Sequence, residues 1–283
     1  MNIYKSEEGK NLVRDACREL YSRWPVPSRE VWIESREFDR THILEMGPSD
    51  GPPLVLLHGS AGNSASWMGY APGWAGHFRT LAVDIPGQPG LSGDTRPGLA
   101  DGSTRRWLEE VIGGLGLTRP ALCGMSLGGW IALDYAIAHP GETAALVLIA
   151  PSGIAPARTG FFLRILPLLV LGDYGSRRII RLVHHPLRVD PAVEEFSLLV
   201  NRHYRPLVEP IPVFDDAALK SISPPLLYIG GAKDVMLDTP ASAERIGRLV
   251  PEAETVVLPD TGHVVLDQSR RIFEFLRSVH RLP

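Results

Sequence analysis

Cysteine is scarce in this chain, and so is any long uninterrupted apolar run. Only Cys17 and Cys123 occur, far apart, so no disulfide framework is expected. Cys123 lies in an apolar stretch and reads as core. Two isolated thiols suit a reducing compartment, so a cytoplasmic location is expected. The most apolar stretch, residues 161–171, is too short to span a bilayer and is broken by Arg164 and Pro167. The opening MNIYKSEEGKNLVRD is polar and carries no apolar signal-peptide core. Neither sign of charge dominates: 29 Lys and Arg against 32 Asp and Glu give a net charge of −3, and the basic residues form no block. These absences argue against nucleic-acid and membrane partners.

What is present is core material. Of the 283 residues, 44% are hydrophobic, enough for one large α/β domain with an insertion, and 28 Gly and 25 Pro are scattered as turns rather than gathered in a linker. Leu12, Val13, Ala16, Leu20, Tyr21 and Trp24 follow helical spacing and predict an amino-terminal helix ended by Pro25 and Pro27. Residues 31–35 and 41–46 read as an antiparallel pair of short strands. Continuous apolar runs follow at 52–59, 78–87, 120–124, 144–153, 224–231 and 254–259. Runs without alternation suit strands covered on both faces, as in a parallel sheet. Helical patterns at 102–117, 127–138, 240–249 and about 267–280 separate most of them, which predicts a doubly wound α/β sheet. Residues 154–222 hold no clear buried strand and are too long for a plain loop. They read as a mostly helical insertion roofing the carboxyl edge of the sheet, where open α/β sheets bind ligands. The chain thus divides into a first part of the core with its amino-terminal helix (1–153), the insertion (154–222) and a second part of the core (223–283).

Gly124-Met125-Ser126-Leu127-Gly128 matches G-x-S-x-G, between a strand-like and a helix-like segment. A strand turning sharply into a helix needs small residues on either side of the serine, and it presents the hydroxyl at a helix N-terminus that suits a developing oxyanion. Serine needs a base. His263, after the last buried run, is the best placed of nine histidines. Asp234, just past the run at 224–231, would orient the imidazole. Asp238 is its rival, but Asp238-Thr239-Pro240 also reads as a helix start with Thr239 as N-cap. Asp260 lies too near His263 and is expected to shape the turn. The backbone N–H groups of Ser60 and Leu127 are the expected oxyanion donors, with His58 shaping the turn that carries Ser60.

The segments LLHGSAGNSASW (56–67), LAVDIPGQPGLSG (81–93), LCGMSLGGW (122–130), GGAKDVM (230–236) and PDTGH (259–263) together resemble the α/β-hydrolase superfamily. The resemblance implies a mainly parallel, roughly eight-stranded sheet with a cap between its sixth and seventh strands. It also implies Ser126, Asp234 and His263 as a triad, with Ser60 and Leu127 as the oxyanion hole. WPVPSREVWIES followed by THILEMGPSDGPP resembles a bacterial carboxylesterase branch. Serine at position 126, rather than aspartate, argues against dehalogenases and epoxide hydrolases. The loop after Asp84 departs from the family's D-x-P-G-x-G-x-S: Gln88-Pro89-Gly90-Leu91-Ser92 carries one extra residue and a proline.

The expected activity is therefore hydrolysis of a small to medium apolar ester through an acyl-enzyme, with no metal or organic cofactor, in a monomer or homodimer. Met125, Phe161, Phe162 and Leu166 are expected to line an apolar pocket, although the insertion's residues would equally serve helix packing. Carbon–carbon hydrolysis of a meta-cleavage diketone acid is a second enzymatic reading, with an insertion arginine holding the carboxylate. It ranks lower because Met125 replaces the asparagine common in that branch. The same scaffold is also compatible with acyl transfer, or with ligand binding without turnover.

Overall fold

The apolar runs become strands. A computed structural model describes residues 3–207 and 209–282, apart from the side chain of Phe162. It contains β1 (Ser28–Glu34), β2 (Arg40–Met46), β3 (Pro53–Leu57), β4 (Arg79–Val83), β5 (Ala121–Met125), β6 (Leu146–Ile149), β7 (Leu226–Gly231) and β8 (Glu254–Leu258). They form one sheet in the order β1-β2-β4-β3-β5-β6-β7-β8. The β1–β2 and β2–β4 pairings are antiparallel and all others are parallel. The helices are α1 (Glu7–Ser22), α2 (Ser103–Gly114), α3 (Leu127–Ala138), α4 (Thr159–Ile165), α5 (Gly172–His184), α6 (Pro191–His203), α7 (Asp216–Lys220), α8 (Thr239–Leu249) and α9 (Ser269–His280).

Successive strand residues face opposite sides of a sheet, and β3 shows the consequence. Leu54 and Leu56 join one core layer, with α1, α9 and the aromatic cluster Trp67, Tyr70 and Trp74. Val55 and Leu57 join the other, with α2, α3 and α8. All four side chains are fully buried, each contributing about 1.5–3 kcal/mol relative to exposure. The run at 254–259 differs from the expectation of two covered faces. β8 is an edge strand, largely half-buried or exposed, and Val257 is 40% exposed. In α1 the buried stripe is Gly9, Val13, Cys17 and Tyr21, while Leu12 is exposed. The helix lies over the sheet on one side and against α6 on the other. At Gly9 a Cβ would sit 2.5 Å from the His203 ring, which sets how closely α1 and α6 approach.

Between β6 and β7 the described residues form α4–α7 and two isolated bridges, with no named strand. Both ends of this excursion are tied to one guanidinium. Arg245 of α8 donates to the carbonyls of Ile154 and Phe214 and pairs with Asp216. Trp130 of α3 stacks on Phe214 and donates to the Pro212 carbonyl at 2.8 Å. Among the described residues, no helix is long and apolar enough to cross a membrane.

Candidate active site

β5 runs into α3 through a single residue, Ser126, whose φ of 50° and ψ of −110° are strained for any side chain. The glycines that permit this turn have measurable reasons. A Cβ at Gly124 would lie 2.3 Å from the Gly128 carbonyl oxygen, and one at Gly128 would lie 2.1 Å from that of Leu57. Those obstacles are backbone and cannot swing aside, so the start of α3 can press against the end of β3 only without side chains there. The turn leaves Ser126 half-buried, with its Cβ beside Gly59.

Two further strand ends converge on this hydroxyl. His263 Nε2 is 3.2 Å from Ser126 Oγ, and His263 Nδ1 is 2.7 Å from Asp234 Oδ2. A carboxylate only accepts, so Nδ1 carries the proton and Nε2 accepts from the serine. Asp234 is buried, and its other oxygen accepts from the backbone N–H groups of Met236 and Leu237 at 2.7 and 2.9 Å. The turns after β7 and β8 are stitched together by Lys233 N–H to Thr261 O and Ala232 N–H to Leu258 O. Asp260 pairs with Lys233 across them, the turn-shaping part expected of it. Asp238 lies outside this chain of contacts. It caps α8, accepting from Ala241 N–H, and it pairs with Arg158. The cap is thus Asp238, whereas the sequence suggested Thr239, which is instead the first helical residue.

The amides of Ser60 and Leu127 have no acceptor among the described residues. Leu127 is the first residue of α3, where the N–H has no intrahelical partner. The orientation of Ser60 N–H is set by the carbonyl of its own peptide plane. Gly59 O accepts from Gly62 N–H at 3.2 Å and from His58 Nδ1 at 2.8 Å, which turns the Ser60 N–H the opposite way. His58 Nε2 accepts from Ile85 N–H at 3.0 Å, so its proton must sit on Nδ1. Burial holds the pKa of His58 below its ordinary value and favours this neutral tautomer.

Behind the turn lies a buried constellation that sequence reasoning missed. Asp84 accepts from Tyr21 OH at 2.7 Å, Ser64 N–H at 2.8 Å and Leu91 N–H at 2.9 Å, and meets His42 Nδ1 at 3.0 Å. Burial acts to raise the pKa of Asp84. The hydrogen bond and charge of His42 outweigh it and hold the carboxyl well below the usual range. Gln88 and Asn63 were missed as well. Gln88 Oε1 accepts from Ala61 N–H at 2.8 Å, and Asn63 donates to the Pro89 carbonyl at 3.0 Å. Gln88 and Pro89, in the loop legible only as a departure from pattern, are what contact the Ser60 turn and Asn63 beside it.

The expected substrate residues scatter. Met125, half-buried, ends β5 directly before the serine. Phe161 is buried and lines a hollow of about 310 Å³ with Arg158, Gly160, Arg164, Leu182 and Val235, close to the Asp234 turn. The side chain of Phe162 lies outside the described residues. Leu166 does not line that hollow. α4 ends at Ile165, and Leu166 starts a 3-10 turn containing Pro167, which leaves its side chain 57% exposed. A second hollow, about 370 Å³, lies far from the serine, among residues that precede β3, β5 and β6 and at the end of α9. No metal-binding cluster occurs among the described residues.

A mostly parallel eight-stranded sheet whose β5–α3 turn presents a serine to a histidine–carboxylate pair defines the α/β-hydrolase class of protein. The chain belongs to the alpha/beta hydrolase family, whose model matches residues 54–275. It is 31% identical over 277 residues to carboxylesterase YbfK of Bacillus subtilis (strain 168), covering 90% of each chain. The crystal structure of carboxylesterase CesB (YbfK) from Bacillus subtilis matches with a TM-score of 0.86 at 28% identity, over 96% of this chain and 99% of that one. The crystal structure of naproxen esterase (carboxylesterase NP) from Bacillus subtilis matches with a TM-score of 0.85 at 25% identity, over 99% and 100%.

Proposed function

We infer that this protein is an ester-hydrolysing enzyme of the carboxylesterase type, with Ser126 as nucleophile, His263 as general base and acid, and Asp234 as the group that orients His263. The observation that carries the assignment is the unbroken contact from Ser126 Oγ through the His263 ring to the buried Asp234 carboxylate, at a strained strand-to-helix turn. Ser126 Oγ attacks the ester carbonyl carbon while Nε2 takes its proton. The oxyanion forms against the free N–H groups of Ser60 and Leu127 and the positive end of α3. Collapse breaks the bond to the alkoxy oxygen, which leaves as the alcohol with the proton from His263. Water, deprotonated by His263, then attacks the acyl-enzyme and releases the carboxylic acid and Ser126. These groups balance every proton in the cycle.

In this reading residues 154–222 act as a cap that shapes the substrate space, while 1–153 and 223–283 together form the catalytic frame. The substrate is a small-molecule ester. The enzyme works in the cytoplasm, consistent with two buried, unpaired cysteines, without nucleic acid, as a monomer or homodimer. A fluorophosphonate probe tests the nucleophile: the adduct should map to Ser126 by mass spectrometry. Ser126→Ala should lose at least about 10⁴-fold in turnover of aryl esters while remaining folded. A folded protein with no adduct at Ser126 refutes the assignment. Turnover of a dienone acid with no ester turnover would move the reaction to carbon–carbon hydrolysis.

A further inference from the structure

We propose that Gln88 is a positioning residue for ester hydrolysis, fixing the peptide that follows the Ser60 oxyanion donor and tying it to Tyr204 at the end of α6. The inference rests on the assignment of Ser126 as nucleophile. Two peptide planes flank Ser60. The first, carrying Ser60 N–H, is held through Gly59 O by His58 and Gly62. The second carries Ala61 N–H, and its acceptor is the Gln88 side chain, at 2.8 Å. A backbone N–H can only donate, so the Gln88 amide must present its oxygen here. That oxygen is also 3.1 Å from Tyr204 OH, whose proton is shared with the Gly87 carbonyl at 3.0 Å and which accepts from Arg96 at 2.7 Å. Gln88 is 2% exposed, so solvent offers Ala61 no ready substitute. Ala61 itself sits at φ 57°, a conformation that alanine does not hold without support.

Without the Gln88 oxygen, Ala61 N–H loses its acceptor and the left-handed Ala61 loses its support, so the 59–62 turn closed by Gly62 N–H on Gly59 O loosens and Ser60 N–H is aimed less firmly at the developing oxyanion. The ester ground state needs that donor far less than the tetrahedral intermediate does, so the defect should fall on kcat rather than KM. Tyr204 closes α6, within the helical insertion. The same carbonyl oxygen therefore joins the insertion to the catalytic turn.

The test compares Gln88→Met, which keeps volume but removes the acceptor, with Gln88→Glu, which keeps an acceptor in reach of Ala61 N–H. Gln88→Met should lower kcat about ten- to thirtyfold with KM within about twofold. It should weaken a boronate that forms a tetrahedral adduct with Ser126 by a similar factor. Gln88→Glu should stay within about threefold of wild type on both measures. A folded Gln88→Met with wild-type kcat overturns the proposal, as does an equal loss in both variants. If Gln88→Met does not fold, Tyr204→Phe decides. It removes a hydroxyl whose single proton is shared between Gln88 Oε1 and the Gly87 carbonyl, and about a two- to fivefold lower kcat is expected. Unchanged kcat overturns the proposal. Fluorophosphonate labelling of the wild type separates the two ideas. Absence of labelling at Ser126 sinks the nucleophile and this inference together, whereas labelling with an indifferent Gln88 sinks only this inference.

Discussion

Replacing Asp84 by asparagine keeps the shape of the side chain and removes its charge and one acceptor. The carboxylate is fully buried and its two oxygens serve four groups: Tyr21 OH and Ser64 N–H on one, Leu91 N–H and His42 Nδ1 on the other. If the amide oxygen takes the first position, the new NH₂ faces Leu91 N–H, donor against donor. An orphaned buried N–H costs about 1–3 kcal/mol. His42 Nδ1 also loses its carboxylate partner, and a hydrogen bond to a charged group is worth about 1.5–3 kcal/mol. The terms overlap, so the expected loss is about 2–4 kcal/mol, within the roughly 5–15 kcal/mol of a folded domain. Equilibrium urea unfolding at pH 7 measures it, with the m-value unchanged. The folded pKa of Asp84 is depressed, so its stabilisation is complete above the unfolded value near 4 and is lost as pH falls toward the folded value. The gap between wild type and Asp84→Asn should therefore narrow below about pH 4. A loss under about 1 kcal/mol at pH 7, or a gap that widens in acid, would refute the reasoning.

Three other outcomes follow from the geometry. Asp234→Asn turns an NH₂ toward His263 Nδ1 and forces the wrong tautomer, so kcat should fall about 10⁴-fold with KM little changed. A loss below tenfold in steady-state assays would remove Asp234 from its role. His58 has a depressed folded pKa, so stability is unaffected by it above the unfolded value near 6.5 and declines below, at up to about 1.4 kcal/mol per pH unit for that proton. His58→Gln should flatten the slope just below pH 6.5, and an identical slope in chemical denaturation would contradict this. Gly128→Ala drives a Cβ against the carbonyls of Leu57 and His58 and should cost about 3 kcal/mol or more; wild-type urea resistance would show that the α3–β3 approach can relax.

The sheet was legible because burial on both faces leaves its mark in continuous apolar runs, and the serine turn because its glycines carry a steric message in adjacent residues. Asp234 and His263 were readable by their place after strands at one edge. β8 misled because an edge strand can be as apolar in sequence as a central one. The α8 cap slipped by one residue, since Asp238 and Thr239 are both competent caps and only the backbone decides. The His42–Asp84 pair had no local signature. Those residues meet because β2 lies antiparallel beside β4, a fact of topology rather than of spacing. Gln88 was visible only as an irregularity, and the donors to its side chain come from a turn and a helix end distant in sequence.

The shared guanidinium of Arg245 has a consequence for how this chain can change. Because residues 154 and 214–216 are anchored to the same side chain, the excursion between them leaves and re-enters the core at one doorway. Closing a longer loop costs only slowly growing entropy once its ends are fixed. Provided Tyr204 keeps its contacts with Gly87 and Gln88, helices between those anchors can therefore be lengthened or shortened while the frame holding Ser126, Asp234 and His263 keeps its geometry. One arginine on α8 thus fixes both ends of the excursion to the core at a single point.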